Sequence, residues 1–574
     1  MTSDHRLAGR RVARIAVPAA AALLGPLLFF LIFDPRLLEP RYFRWLLWLP
    51  DPATQFLGWH FFRLEAWHLP PGAATHYGME MGGSIVFTDS IPLLALVFKL
   101  ARALLPEKFQ YFGLWMLACY VLQAWFGWLL SGVFTRLALQ RLAMTALFVL
   151  CPLVPDRAIG HYALMAQWLV LAALYLYVRA PDRRATALWC LLVCVAALIH
   201  AYLLYLVLAV AVADAARRRW IDHTATTRDT ARSTLLIAGA LLATMWLAGY
   251  FTIPASAFSG GAEYYGRYAA NLNALWNPMW GSLFLPGLPV IAGAEYEGYN
   301  YLGLGVLAML PIAAFAWWRA RRQHMGRRYL PLAAVALLLW AIALSNQVAW
   351  GDRILFTIPL PRFVLDPVAM VRASARLLWV GYYALVLAVP AIVVRNFPAR
   401  TATAILALGL ALQIADFAPR YTALNGYFRQ HFIDEPARRA DDLPSPFWEV
   451  AARHYRTILF VPSLPVPPNF AAVGLFAADH GMRINVGSFA RLAVKRVGAV
   501  TIERERALAE GRLDPAALYV LRPPDEAAFR AGANDAIGTV DGFVVLAPGW
   551  FAFDDCCGDA MPPLAHAAAA RPLR

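Results

Sequence analysis

The feature that most limits how this chain can fold is its succession of apolar stretches, separated by short segments in which arginine is the main charge. Behind a basic N-terminus (Arg6, Arg10, Arg11, Arg14) runs Ile15 to Phe33, and further apolar runs cover 111–134, 142–155, 162–178, 185–199, 201–216, 233–254, 300–318, 330–346, 377–394 and 401–416. A helix of roughly 20 apolar residues crosses a bilayer, so the pattern predicts about eleven spans, several of them short and tilted or flanked by protein. Composition agrees. Of 574 residues 60% are hydrophobic and 15% charged, where a soluble chain carries about a quarter charged. The net charge of +15 sits in arginines between apolar runs, which is how orientation signals are distributed and excludes nucleic acid as a partner. The partner implied is the lipid bilayer. The first apolar run ends in "FDPRLLEP" rather than a small-residue cleavage site, so it reads as an uncleaved span with the N-terminus inside.

Topology follows from the connecting segments. "TRLALQR" (135–141), "RAPDRRA" (179–185), "RRRWIDHTATTRDTAR" (217–232), "RARRQHMGRR" (319–328) and "RNFPAR" (395–400) are rich in arginine and belong on the cytoplasmic side. All of them face that side only if "IVFTDSIPLLALVFKLARALL" (85–105), which contains Asp89, Pro92, Lys99 and Arg102, does not cross completely. An interfacial or re-entrant helix suits those polar residues better than a lipid-exposed crossing. The more polar loops, 34–110, 155–161, 198–202, 259–303 and 346–376, then converge on the outer face. Function is expected there.

From residue 418 onward, helix-like stretches alternate with short strand-like runs ("TILFVPS", "RINVG", "ALYVLRP", "GFVVLAP"), the pattern of a small α/β domain. The expected organisation is a mainly α polytopic membrane domain over 1–417, including the first external loop 34–110, and an extracytoplasmic α/β domain over 418–574. The sequence contains no GxGxxG, P-loop, GxSxG, HExxH or cysteine-based zinc pattern. Cys119, Cys151, Cys190, Cys194, Cys556 and Cys557 lack metal-ligand spacing and read as packing residues. Arginine so outnumbers lysine (only Lys99, Lys108 and Lys495) that the chain reads as the product of a GC-rich bacterial genome.

An inside N-terminus, an acidic loop directly after the first span, many spans of uneven length and a C-terminal outer domain together resemble the GT-C superfamily of membrane glycosyltransferases. The stretches "DPATQFLGWHFFRLEAWHLPPG", "GGSIVFTDSIPLLALVFKL", "LPEKFQYFGLW" and "VRASARLLW" are similar to a bacterial GT-C-like family. The resemblance implies a polyprenyl-phosphate-linked sugar donor, an active site on the periplasmic side of the bacterial inner membrane, and a glycan, glycolipid or protein acceptor. A cell-surface polysaccharide or glycolipid is the preferred acceptor. It also implies a carboxylate in the first external loop that activates the acceptor, and Asp51 matches that position. Such a base is what the chemistry needs, because the attacking hydroxyl must lose its proton as the glycosidic bond forms.

Asp89 is the second acidic candidate. Both acids have a structural alternative as helix N-caps, Asp51 before Pro52 and Asp89 before Pro92. The lipid phosphate needs cations where negative charge develops. Arg372 and Arg376, four apart on one helical face, fit this need as a bidentate grip, with Arg157, His161 and His200 in support; the alternative for the arginine pair is anchoring at the membrane edge. Trp59, His60, Arg63, Glu263, Tyr265 and Asn271 are candidate substrate contacts, and Glu65, Glu80, Glu295 and Glu297 are further acids of lesser weight. The Asp-x-Asp pattern of some GT-C enzymes is missing, since "PDRAIGH" supplies only Asp156. No cofactor is therefore required by the sequence, and a divalent metal is left open. Two competing readings are a flippase of lipid-linked saccharide and a polysaccharide ligase.

Overall fold

The computed structural model describes residues 21, 23–180, 183–254, 265–291, 295–320, 326–369, 371–438, 443–467, 469–489, 491–522, 529–557 and 561–567. These residues cluster into two compact units. The first comprises the residues through Glu39, Tyr111–Ala243 and 265–430; the second comprises Pro40–Gln110, 244–254 and the residues from His431 onward. The loop 40–110, expected within the membrane domain, thus packs into the same unit as the C-terminal residues.

Among the described residues the apolar runs are mostly helical, yet only five helices are long and apolar enough to cross a membrane: Phe112–Phe134, Ala138–Asp156, Thr227–Ala248, Ser374–Asn396 and Ala399–Asp434. The expectation of about eleven full spans is corrected accordingly. Leu23–Ile32, Ala185–Ala197 and Leu304–Ala320 are shorter apolar helices. At 1.5 Å per residue, thirteen residues such as Ala185–Ala197 reach only about 20 Å, against a hydrocarbon core of about 30 Å. The segment 85–105 also holds no helix long enough to cross. It breaks into a 3-10 turn Ile85–Thr88, a nine-residue helix Pro92–Leu100 and a second turn Arg102–Leu104, because Asp89 and Ile91 take left-handed backbone conformations that end one element before the next begins.

Within the first unit, helices approach through small residues. A side chain at Gly305 would begin 2.0 Å from the Gly409 carbonyl oxygen, so the helices Leu304–Ala320 and Ala399–Arg429 cross with their backbones close together. By contrast Thr227–Ala248 is largely uncovered by protein, with Leu235, Leu236, Leu242 and Trp246 exposed. Such a face needs an apolar surrounding.

The second unit holds a six-stranded mixed sheet. Strands β3 (Thr457–Val461), β4 (Arg483–Ile484), β5 (Ala517–Leu521), β6 (Ala536–Val540), β7 (Phe543–Ala547) and β8 (Ala565–His566) lie in the order β4-β3-β5-β7-β6-β8; an antiparallel hairpin of β1 (Gln347–Trp350) and β2 (Arg353–Thr357) belongs to the first unit. β3 pairs in parallel with β4 and β5, while β5–β7, β6–β7 and β6–β8 are antiparallel. Asp541 and Gly542 join β6 to β7 with φ of 47° and 82°, the pair of positive values a tight hairpin turn demands. Leu459, Val461, Leu508, Ala517, Tyr519, Leu521 and Leu546 form the core. The β4 edge is covered by the first loop: Ile484 N donates to His76 O at 2.9 Å and Gly78 N to Ile484 O at 2.8 Å. Pairing removes an exposed sheet edge and ties residues 76–78 to the C-terminal sheet. Cys556 and Cys557, expected as packing residues, are joined in a vicinal disulfide.

Candidate functional site

Four of the five residues expected to grip a phosphate lie in one connected cluster of the first unit. The short helix Leu153–Asp156 ends at Arg157, and a turn through Gly160, with φ of 104°, returns the chain so that His161 N donates to Arg157 O at 2.8 Å. Arg157, fully buried, donates from Nη1 to Glu297 Oε2 at 2.7 Å. Arg376 grips the same carboxylate with both Nε, at 2.9 Å, and Nη2, and His161 Nε2 lies 3.7 Å from Oε1. Beside them the Tyr202 ring lies 4.7 Å from the Arg376 guanidinium carbon, and its hydroxyl accepts from Ala373 N at 2.9 Å. His200 caps the helix Ala201–Ala216, its Nδ1 accepting from Tyr202 N at 3.1 Å. Burial alone would push the Glu297 carboxyl up, but the charges of Arg157 and Arg376 and the Arg376 hydrogen bond outweigh it and hold the group well below the usual carboxylate range. Glu297 is therefore an anion that orients two guanidiniums.

Arg372 does not share a helical face with Arg376, which corrects the expected pairing. The 3-10 turn starts at Ser374, after Arg372, because the Ala373 and Ala375 backbone N–H groups are taken by Tyr202 Oη and Tyr268 O instead of by a preceding helical turn. Arg372 still acts electrostatically on the Tyr202 phenol. Next to the cluster, Asp156 pairs with Arg420, whose guanidinium lies 5.4 Å from the Trp280 ring. Asp416, one helical turn earlier, accepts from Tyr301 Oη at 2.8 Å and Leu304 N at 2.9 Å.

Charge at the opposite ends of the same helices is organised differently. Arg217 bonds Asp214 at 2.6 Å and lies 3.2 Å from Asp222, Arg328 approaches Asp222 at 3.7 Å, and Arg328 Nη2 donates to Arg179 O at 3.2 Å. The arginine-rich segments after 178, 216 and 325 thus meet at one end of the unit. Tyr202 lies at the start of the helix Ala201–Ala216 and Arg217 just past its end, so the Glu297 cluster and the basic cluster lie at opposite ends of about 24 Å of apolar helix.

The acids and substrate contacts expected in the first loop have partners within the second unit. The helix Pro50–Leu64 begins at Pro50 with Leu49 as cap, so Asp51 is in the first turn and is not the N-cap; its Oδ1 accepts from Ser488 Oγ at 2.6 Å. Asp89 closes the 3-10 turn before it, and Ile91 occupies the cap of Pro92–Leu100. Trp59 is buried and donates from Nε1 to Phe109 O at 2.9 Å, and Arg63 donates to Pro106 O at 2.9 Å. His60 Nε2 sits 2.8 Å from Asp479 Oδ1, and burial pushes its imidazole down against the opposing pull of that carboxylate. Trp59 and Arg63 thus bond within the loop, and His60 ties it to Asp479. In the first unit Tyr265 donates to Ile342 O at 3.1 Å, and Asn271 brackets Gly351 with bonds of 2.8 and 3.1 Å. Both side chains thus bond backbone groups of the first unit. Glu263 lies outside the described residues.

Among the described residues no group of three His, Cys, Asp or Glu is placed to hold a metal. Glu297 carries little weight as a single residue of the sequence, and Tyr202, Asp416 and Arg420 are not among the sequence candidates. The spacing of Asp416 and Arg420, four apart just after an apolar stretch of one helix, is a legible signal; Tyr202 carries none.

Comparison with curated proteins gives no match. The profile of a domain of unknown function, DUF6311, matches residues 22–418, and that of the DUF6311 C-terminal domain matches residues 447–548. The chain belongs to the DUF6311 family.

Proposed function

We propose that the protein is a membrane glycosyltransferase that moves a sugar from a polyprenyl-phosphate donor to an acceptor outside the cytoplasmic membrane, with inversion at the anomeric carbon. The observation that carries this reading is the Arg157–Glu297–Arg376 cluster, with His161 beside it, at the end of the first unit opposite its basic loops. A phosphodiester donor carries one negative charge and its leaving phosphate gains more as the bond to the sugar breaks. Cations fixed in a low-dielectric surrounding favour that change. Glu297 keeps the two guanidiniums oriented and apart, so they need little reorganisation when a phosphate arrives. His200 and Tyr202 hold the neighbouring turn.

In the reaction, the acceptor oxygen bonds to the anomeric carbon, the carbon–phosphate oxygen bond breaks, polyprenyl phosphate leaves and the acceptor proton passes to a carboxylate. Asp51 is the group we assign to that proton, on the resemblance and on its chemistry. The acceptor is a cell-surface polysaccharide or glycolipid, and the protein resides in the bacterial inner membrane.

The test is sugar transfer in membranes containing wild type, Arg376→Ala or Asp51→Asn, supplied with radiolabelled polyprenyl-phosphate sugars and envelope acceptors. Wild type is expected to form a glycosidic product. Arg376→Ala should lose about 100-fold to 1,000-fold and Asp51→Asn about 100-fold to 10,000-fold at equal protein level. Movement of labelled lipid between leaflets with no product would replace this reading with a flippase.

A further inference from the structure

The second unit contains a cavity of about 510 Å³ that none of the residues above explains. One wall is the helix Val494–Glu510, which presents Arg496, Val500 and Arg504 at successive four-residue spacing and therefore on one face. The facing wall is the first loop, with Ala73, Ala74, Met79, Glu80, Gly82 and Gly83; Arg483, from β4, completes the lining beside Thr252. Arg504 is committed, since it grips the buried Glu80 carboxylate with Nη1 and with Nη2 at 3.0 Å. Asn485 Nδ2 supports the same carboxylate at 3.3 Å. With Glu80 neutralised by Arg504, the two exposed guanidiniums of Arg483 and Arg496 give the cavity its net positive charge.

We infer that this cavity binds an anionic saccharide, a sugar carrying a carboxylate or a phosphate monoester, with Arg483 and Arg496 on its charge. The volume decides against a bare anion: at about 30 Å³ per water, the space equals many solvent molecules, and a carboxylate or phosphate alone fills a small part of it. The apolar stretch of Ala73, Ala74, Met79 and Val500 suits the C–H face of a sugar ring, while the guanidinium forks match a planar carboxylate or a phosphate. The paired Glu80–Arg504 supplies a rigid boundary between the two walls. The inference rests on the glycosyltransferase reading for the class of ligand, and it names the acceptor as acidic.

Binding separates the two. Full-length protein in lipid nanodiscs is titrated calorimetrically with a glucuronate-terminated disaccharide, the neutral glucose-terminated counterpart, that neutral disaccharide bearing a phosphate monoester, and inorganic phosphate. At least one of the two anionic disaccharides is expected to bind tenfold or more tightly than the neutral one and than inorganic phosphate, and which one does so identifies the charge. Arg483→Gln and Arg496→Gln, both at exposed positions, should each weaken that binding about tenfold. Equal binding of neutral and anionic disaccharides, binding of inorganic phosphate as tight as of the better disaccharide, or unaltered affinity in both glutamine variants would each overturn the inference. Because no transfer is measured, its failure leaves the glycosyltransferase reading standing, and absence of transfer leaves the binding result standing.

Discussion

Single residues of this protein matter through the partners they acquire. Glu297 is the clearest case: two buried arginines pair with its one carboxylate. Removing one partner of a buried ion pair leaves an uncompensated charge that costs roughly 3–5 kcal/mol. Glu297→Gln is accordingly expected to lower thermal stability in detergent by an amount of that order, whereas Arg372→Gln, outside the pair, should change it little. Lys99 gives a pH-dependent counterpart. It is buried, with Nζ 3.9 Å from the Phe62 ring centre and 4.6 Å from that of Trp67, and donates to Ala66 O at 3.2 Å. Burial pushes its ammonium down to about 8, against the pull of Glu65. The unfolded chain holds that proton up to about 10.4, so charged Lys99 opposes folding. The penalty is fully present below about pH 8 and is relieved as the pH rises from there towards 10.4. Compared with Lys99→Met, the wild type should gain stability between pH 7.5 and 10, by about 3 kcal/mol in the limit, read from paired melting curves. A flat difference between the two proteins would show that Lys99 is not desolvated. The sequence exposed Arg157, His161, His200, Arg372 and Arg376 as candidates, since cations beside apolar runs are unusual. It did not show that Glu297 would gather them, because that contact joins positions separated by 140 residues in one pair and 79 in the other.

At the scale of elements, most helix positions were legible from apolar periodicity and from the arginines that interrupt it, and the C-terminal strands from short β-branched runs. Lengths were less so. The segment 85–105 was recognisably unsuited to crossing, and its breaks at Asp89 and Ile91 are backbone events that hydropathy does not report. Close helix crossings were also hidden, since a glycine in an apolar run reads the same whether it faces lipid or a neighbour. Gly305→Ala puts a methyl group against the Gly409 carbonyl. Overpacking of this kind costs about 1–3 kcal/mol, and a lowered melting temperature without change in helix content by circular dichroism is the expected result. An unchanged melting temperature would mean that the two helices separate readily.

For the molecule as a whole, the two charged ends of the first unit yield a topology that can be measured. Asp352, in the turn between β1 and β2, is exposed at the hairpin whose residue Gly351 is bracketed by Asn271, and Arg219 follows the helix Ala201–Ala216 at the basic end. In intact cells a membrane-impermeant maleimide should label Asp352→Cys, and Arg219→Cys only after permeabilisation, each made in a background lacking Cys190 and Cys194. Labelling of both positions in intact cells would contradict an opposite-sided arrangement. The sequence by itself determined that this chain needs an apolar environment, that helices dominate its first part and an α/β domain its end, and which cations merited attention, because hydropathy, charge placement and strand periodicity are local properties. Only the tertiary structure decided that the first loop closes the edge of the C-terminal sheet, that Trp59, His60 and Arg63 bond Phe109, Asp479 and Pro106, and that Arg157 and Arg376 share Glu297. Those outcomes depend on which buried polar groups satisfy one another, and a buried donor or acceptor takes its partner from whatever the fold brings near, at any distance along the chain.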